Sequence, residues 1–306
     1  MRKKVTNVLT GLFVAVAFGL AGCGGGSGGG SSVDTSYKGS TTQATVTASN
    51  ASALSVDAIQ GAQNIAALDV LGKSVTDTSE SSPLIPTIAN ILEDSIIRIL
   101  PKSAVAKTVA GTAQDTVNGY SGSYSYSVNA NESTGAFTGS IRFNSYKEDQ
   151  YSPSISGYMS CYGIVNTATG NIVSINMSIS DLQAASGTLN GNIAISNGTT
   201  STNMNISIVL LDNTDNKTYW LKDFSLVLTN GMMSISGTYY DHDYGYVVIS
   251  TVIPLTVSTY SSIPTSGQLL FTGSNGTKAR LTYTDSGYTV EVDASGNNTY
   301  VVIPYD

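Results

Sequence analysis

The sequence has 306 residues, of which 41% are hydrophobic and only 11% are charged, against about 25% charged in an average soluble domain. Ample apolar residues with few charges exclude an intrinsically disordered chain, which combines low hydrophobicity with high net charge. The net charge of −7, without a basic patch, excludes nucleic acid as a partner, because binding phosphates requires clustered Lys and Arg.

The chain begins with the features of an export signal. Residues 1–4, "MRKK", are positively charged, and an apolar run follows up to Leu20. Thr and Asn residues interrupt this run, and it is too short for a confident membrane span, which needs about 20 apolar residues. We therefore predict a signal peptide over residues 1–22. Its removal would leave 11 basic and 21 acidic residues, a net charge of −10.

The stretch "LAGC" at the end of this signal resembles the lipobox of bacterial lipoproteins. The resemblance implies that signal peptidase recognises Leu20, Ala21 and Gly22 and cleaves before Cys23. It also implies a diacylglycerol on the sulfur of Cys23 and an acyl chain such as palmitate on its new amino group. A thiolate is the nucleophile that this chemistry needs, and several acyl chains anchor a protein stably. Gly24 in place of an aspartate predicts an outer-membrane lipoprotein, facing either the periplasm or the cell surface.

The next two segments are predicted as a tether and a helical region. Residues 23–48 begin with Gly/Ser repeats that behave as a flexible coil. Residues 49–118 hold two helix candidates: a first one with Leu54, Ala58, Ile65 and Leu68 at helical spacing, and a second one over residues 86–100. The second has a single arginine on its polar face, so packing against a sheet is favoured over lying on a membrane.

From residue 119 to residue 306 the apolar residues recur with a period of two. The alternation is clearest in "AFTGSIRFN", "NIVSINMSIS", "TNMNISIVL" and "WLKDFSLVL", where Trp220, Phe224, Leu226 and Leu228 are predicted to share a face. This pattern predicts a mainly β fold: a large curved antiparallel sheet, as a half-barrel, barrel or sandwich, with one or two N-terminal helices packed against it. A transmembrane barrel is disfavoured because the strands lack aromatic girdles and a lipid anchor would be redundant.

Five glycines fall on the predicted inward face of strands: Gly139, Gly157, Gly191, Gly237 and Gly273. Glycine inside a strand marks a bend or a close approach to the backbone. Bending of the sheet is the favoured interpretation. The alternative is that these glycines leave room for the second helix or for an acyl chain.

Residues with catalytic or metal-binding potential are few. His242, the only histidine, lies between Asp241 and Asp243, but a zinc site needs three or four ligands, so a turn is favoured. The segment "DASGNNTY" from Asp293 lacks the alternate carboxylates of a calcium loop, and a turn is favoured there too. Cys161 is predicted to be buried and, with Cys23 lipidated, to form no intramolecular disulfide. We therefore predict no metal site, no cofactor and no enzyme.

Four C-terminal segments resemble uncharacterised lipoproteins of Gram-negative bacteria: "YWLKDFSLVLT", "SGTYYDHDYGYVVIST", "SGQLLFTGSNGTKARLT" and "VEVDASGNNTY". Those proteins often read "DxDGDGTY" where this chain has Asp293 to Tyr300. The resemblance covers the last third of the chain and implies no known activity. The sequence thus predicts a lipid-anchored envelope protein with a binding or scaffolding role, whose partner is an envelope protein, a glycan or a lipid. The alternative is carriage of an apolar ligand between the curved sheet and the helix.

Overall fold

The computed structural model describes residues 37–59, 110–131, 133–168, 172–185, 187–258 and 261–304. They form one antiparallel sheet of 14 strands in which each strand pairs with the next along the chain. The strands are β1 (Ala110–Asn118), β2 (Ser121–Asn131), β3 (Ala136–Lys147), β4 (Ile155–Val165), β5 (Ile172–Gln183), β6 (Gly187–Asn197), β7 (Ser201–Asp212), β8 (Lys217–Thr229), β9 (Met232–Asp241), β10 (Gly245–Ser258), β11 (Ser261–Thr272), β12 (Lys278–Thr284), β13 (Gly287–Asp293) and β14 (Val301–Ile303).

The prediction of a mainly β, antiparallel fold is confirmed. The predicted strands in "AFTGSIRFN", "NIVSINMSIS", "TNMNISIVL" and "WLKDFSLVL" fall within β3, β5, β7 and β8. Local chemistry sets the turns: Asn230 and Gly231 both have positive φ, as a two-residue hairpin requires, and they join β8 to β9. Within the described residues β1 and β14 are the two ends of the strand order, so the sheet is open.

The inner face of the sheet forms one continuous apolar core that extends from β2 to β13. A short helix, residues 51–59 with a π-helical centre at Ala53–Asp57, packs into this core against β9 and β12. Leu54 and Ala58, predicted on its apolar face, are both fully buried. Ile65, Leu68 and the second predicted helix, residues 86–100, lie outside the described residues. The described residues therefore do not test whether an apolar ligand lies between the sheet and this helix.

The predicted face of Trp220 is wrong, because a β-bulge reverses the alternation inside β8. The register with β9 shifts between Lys222 and Ser225, and Asp223 has a φ of 49°. Phe224 therefore lies in the inner core, whereas Trp220 lies on the outer face against Tyr240. A bulge inserts one residue into a strand, so every side chain before it faces the other way.

Bulges also explain two of the predicted inward glycines. Gly157 lies opposite the register shift at Asp181, and Gly237 lies opposite the shift at Asp223. Both glycines have strongly positive φ, 129° and 142°, and a Cβ on either would overlap the backbone of the neighbouring strand. These positions bend the sheet and let two backbones approach closely, as the favoured interpretation predicts.

The structured part of the chain differs in extent from the predicted segments. β1 begins at Ala110, before residue 119, because its sequence "AGTAQDTVN" carries too few apolar residues to show an alternation. At the N-terminus, the described chain begins at Tyr37, inside the segment 23–48 predicted as a tether. Residues 37–46 lie on the sheet, where we call them the N-terminal clamp.

The turns divide into two rims. The tether rim is the one that the N-terminal clamp reaches, and the far rim lies at the opposite ends of the strands. The described turns of the tether rim are 119–120, 148–154, 184–185, 213–216, 242–244, 273–277 and 294–300. The described turns of the far rim are 133–135, 166–168, 198–200, 230–231 and 285–286.

Replacing Gly191 by alanine should strongly destabilise the fold. Gly191 has a φ of 144°, and a Cβ would overlap the carbonyl oxygen of Ser207 on β7. Gly287 is the matched control, since its φ is 132° but no atom lies within 4 Å of the position that a Cβ would take. We expect G287A to cost about 1–2 kcal/mol from backbone strain and G191A about 2 kcal/mol more, measured by urea denaturation. Equal losses would contradict the role assigned to the contact with β7.

Candidate functional site

The residues predicted for lipidation and processing, Cys23 with Leu20, Ala21 and Gly22, lie outside the described residues. What the structure describes is the point where the tether would meet the domain. This point is the N-terminal clamp, whose chain runs over the tether rim from the outer face of the sheet to its core.

The clamp begins at Tyr37, which is buried on the outer face. Its hydroxyl has one proton, which the backbone oxygens of Asp241 at 2.8 Å and of Ser40 at 3.0 Å share in a bifurcated hydrogen bond. Its ring packs against Trp220 and Tyr240, with centroids 5.9 and 5.5 Å away. Burial, followed by the negative charge of Asp241, raises the pKa of Tyr37 well above its usual value, so the phenol stays a neutral donor.

The clamp then becomes part of the sheet. The backbone N–H of Tyr246 on β10 donates to the oxygen of Thr42, and the N–H of Ala44 donates back to Tyr246, both at 2.9 Å. On the other side, Ala44 accepts a hydrogen bond from Ser274 at 2.7 Å, and the N–H of Val46 donates to the hydroxyl of Thr277 at 2.9 Å. The clamp thus fills the gap between β10 and the turn that joins β11 to β12.

The turn Asp241–Asp243 closes over the start of the clamp. The carboxylate of Asp241 accepts hydrogen bonds from the N–H groups of Asp243 at 2.9 Å and Tyr244 at 3.0 Å. His242 accepts one from the N–H of Thr218 on its Nδ1, and its backbone oxygen accepts one from Ser40. These bonds are those of a turn, as favoured from the sequence. No group of three or more His, Cys, Asp or Glu suited to a metal ion occurs in the described part of the chain.

The segment from Asp293 is likewise a turn. The buried carboxylate of Asp293 accepts hydrogen bonds from the N–H groups of Asn297 and Asn298 and from the hydroxyl of Ser295. Burial alone would raise the pKa of Asp293, but these donors outweigh it and lower the pKa below its usual value. The carboxylate is therefore occupied in holding its own loop.

Cys161 lies in the inner core, as predicted, and is 5% exposed. Burial raises the pKa of its thiol to about 11, despite a backbone hydrogen bond from Gly139 that lowers it. A thiol with this pKa is protonated at neutral pH and is a poor nucleophile. The residue contributes packing, and the side chains around it explain Gly139, whose added Cβ would lie 3.2 Å from the sulfur.

Among the described residues, a candidate for a ligand site is a polar groove of about 510 Å³ on the outer face of β1 to β4. The residues that line it are Gln114, Asp115, Thr116, Ser125, Tyr126, Ser127, Ser140, Arg142 and Tyr158. The outward side chains among them carry hydroxyl, amide and guanidinium groups and the ring of Tyr158. Asp115 and Tyr126 pair across β1 and β2, and the side chain of Tyr126 belongs to the inner core. Arg142 is exposed and lies 5.4 Å from the ring centre of the half-buried Tyr158. Such a lining offers many hydrogen-bond partners and one flat ring.

Sequence reasoning did not single out the groove or Tyr37. Arg142 and Tyr158 occupy outward positions in strands with an alternating pattern. Many serines occupy such positions too, so the pattern does not distinguish these two residues. Tyr37 is an isolated aromatic residue in a polar segment, and that isolation is the one signal that could have identified it. The cause in both cases is that the partners come from strands far apart in the sequence.

Comparison of the chain with protein families, curated proteins and solved structures finds no match. In the described residues, no helix is both long enough and apolar enough to cross a membrane.

Asp57, at the end of the short helix, should make stability depend on pH. Burial and then the negative charge of Asp241 raise the pKa of Asp57 to about 6. The folded chain therefore holds this proton more tightly than the unfolded chain, so the carboxyl group lowers stability as pH rises from about 4 to about 6.

Asp57→Asn should therefore raise the free energy of unfolding at pH 7.5 by about 1–2 kcal/mol, allowing for the solvent that reaches the carboxylate. At pH 3.5 the variant and the parent should be nearly equal. Urea denaturation at both pH values measures this, and Asp285→Asn, at an exposed carboxylate in the turn between β12 and β13, is the control. A gain of equal size at both pH values would contradict the explanation.

Proposed function

We propose that this chain is a lipid-anchored protein of the bacterial envelope, held to the outer membrane through Cys23, with the sheet as a binding or scaffolding domain. The observation that supports this most directly is the N-terminal clamp. Thirteen residues separate it from Cys23, and four separate it from the end of the Gly/Ser-rich stretch at Ser32. Its first residues bond to β8, β9 and β10. A flexible tether needs such a fixed attachment point on the domain it carries.

The hydrogen bonds of the N-terminal clamp are arranged to resist a force that pulls on the chain from its N-terminal side. Backbone and side-chain hydrogen bonds spread a pull on Tyr37 over Thr218 on β8, Asp241 at the end of β9 and Tyr246 on β10. Farther along, Val46 and the short helix are buried in the core. The tether would therefore pull on several strands together, and no single strand end would have to peel away first.

Cys23→Ser should abolish the anchor. When the full chain is expressed in a Gram-negative host, we expect the parent to fractionate with membranes and to gain the mass of a diacylglycerol and an acyl chain. The variant should lack that mass and should be processed differently or remain with its signal. Intact-protein mass spectrometry and membrane fractionation measure both results. Cys161→Ser, at the buried cysteine, is the matched control and should still be lipidated. An unmodified Cys23 in the parent would refute the proposal.

For the binding role we propose the polar groove on β1 to β4, with a hydroxyl-rich ligand such as an envelope glycan. Ser125, Ser127 and Ser140 supply hydroxyl groups, and Arg142 supplies a cation with several donors. The ring of Tyr158 offers an apolar surface of the kind that packs against the face of a sugar. The groove residues include one acidic residue, Asp115, and one basic residue, Arg142, so the lining has no excess of positive charge that would favour a polyanion over a neutral, hydroxylated partner.

Tyr158→Ala should weaken glycan binding, whereas Tyr162→Ala should not. Tyr162 lies on the same face of β4, four residues along, and is not among the groove residues. With oligosaccharides of N-acetylglucosamine and glucose as probes, we expect Tyr158→Ala to raise the Kd about fivefold, measured by calorimetry. Equal binding by both variants, or no binding by the parent, would count against the groove as a glycan site.

A further inference from the structure

The exposed tyrosines are concentrated at the tether rim. Four tyrosines are strongly exposed in the described residues, and three of them lie in turns of this rim: Tyr120 (67% exposed), Tyr151 (76%) and Tyr244 (44%). The fourth, Tyr162, lies within β4. Exposing a large aromatic ring to water is unfavourable, so three of them at the tips of one rim suggest a surface that is covered in use.

The far rim has a different composition. Its described turns contain only Ser, Thr, Asn, Gly, Ala and Asp. The turn between β10 and β11, residues 259–260, also belongs to this rim; its sequence is Thr-Tyr, and it lies outside the described residues. Both rims consist of turns between neighbouring strands of one sheet, so turn chemistry alone would give them similar residues. Among the described turns, exposed tyrosines are therefore concentrated at the tether rim.

The three tyrosines belong to different turns of this rim. Tyr120, Tyr151 and Tyr244 occupy the first, second and fifth turns of the rim. They are thus spread over a broad front, which suits an extended partner better than a small one.

The chain enters at the same rim. Thirteen residues, 24–36, separate Cys23 from Tyr37. A flexible coil of this length would span about 20 Å, and a fully extended chain about 45 Å at most. A lipid on Cys23 would therefore hold the membrane within a few nanometres of these tyrosines. The far rim is one strand length farther away.

We propose that the tether rim is a membrane-facing surface in which Tyr120, Tyr151 and Tyr244 contact the headgroup region of the bilayer that holds Cys23. This inference rests on the proposed lipid anchor. Tyrosine suits the role because its ring is apolar and its hydroxyl is polar, a combination enriched where membranes meet water.

The charges of the rim specify the kind of lipid. Its turns carry four carboxylates, Glu148, Asp149, Asp215 and Asp243, and four lysines lie beside them: Lys38, Lys147, Lys217 and Lys278. Lys217 is paired with Asp243 at 2.6 Å. Because these charges balance, the rim has no basic patch that would attract anionic headgroups. The bilayer surface that fits is therefore zwitterionic, and the contact depends on the aromatic rings.

The test uses the full lipidated protein in phosphatidylcholine vesicles whose acyl chains are brominated near the glycerol. A bimane label is placed at Asn213→Cys on the tether rim or at Thr199→Cys on the far rim, both exposed positions, while native Cys161 is buried and unlabelled. We expect quenching by the brominated lipid to be at least about threefold stronger at position 213 than at position 199.

The tyrosines are tested by the triple variant Y120S/Y151S/Y244S, with Y162S as the control. The triple variant should still float with the vesicles, because its lipid is intact, but quenching at position 213 should fall to the level at position 199. Y162S should change neither. If the triple variant loses its circular dichroism spectrum, the three single variants should each show part of the same decrease.

Two outcomes separate this proposal from the lipid anchor. A parent protein that does not float with vesicles would refute the anchor, and the rim proposal with it. A parent that floats but is quenched equally at both rims, or a triple variant that is quenched as strongly as the parent, would refute the membrane-facing rim alone.

Discussion

The described strands hydrogen-bond only to their sequence neighbours, so the hairpins by themselves do not hold the first strands to the last. The shared inner face does, because one apolar core includes residues from Tyr124 on β2 to Val292 on β13. Burial of apolar surface is the dominant favourable term in folding, but it has no direction. The N-terminal clamp adds directed bonds to this core, from Tyr37 to Asp241 and from Val46 to Thr277.

A single face can stay buried over fourteen strands only if the sheet bends, and regular alternation does not bend a sheet. The bulges at Asp181 and Asp223, opposite Gly157 and Gly237, supply the bends. At Asp223 the bulge also places Trp220 on the outer face, where it forms the surface on which Tyr37 packs. The bulge that bends the sheet at Asp223 therefore also forms the surface on which the N-terminal clamp packs.

The sequence predicts the regular parts of this molecule well and the irregular parts poorly. Alternation identifies β3, β5, β7 and β8, since each strand has one face in the core and one in water. It fails at Trp220, because a bulge leaves no local signal, and at β1, where few apolar residues show a pattern. The turns at Asp241 and Asp293 are predictable from Asp, Asn and Gly alone.

The clamp and the groove could not be predicted, because each joins residues that are distant in the sequence. Tyr37 is 204 residues from Asp241, and the groove draws its side chains from β1 to β4. Nothing in the segment around Tyr37 indicates which strand it will meet. Lipidation of Cys23 depends on a short local motif, so it could be predicted from four residues, and it remains a prediction.

The separation between Tyr37 and its partners sets an order on folding. As the chain is synthesised from its N-terminus, each strand can pair with the previous one, since those contacts are local. The first part of the described domain to be synthesised is residues 37–46. Its hydrogen bonds to Tyr246, Ser274 and Thr277 can form only after β10 and the turn between β11 and β12 have been synthesised. The N-terminal clamp is therefore among the last parts of the domain to take its place. A chain that stops before β10 would lack these partners, so residues 37–46 would have no fixed place on its sheet.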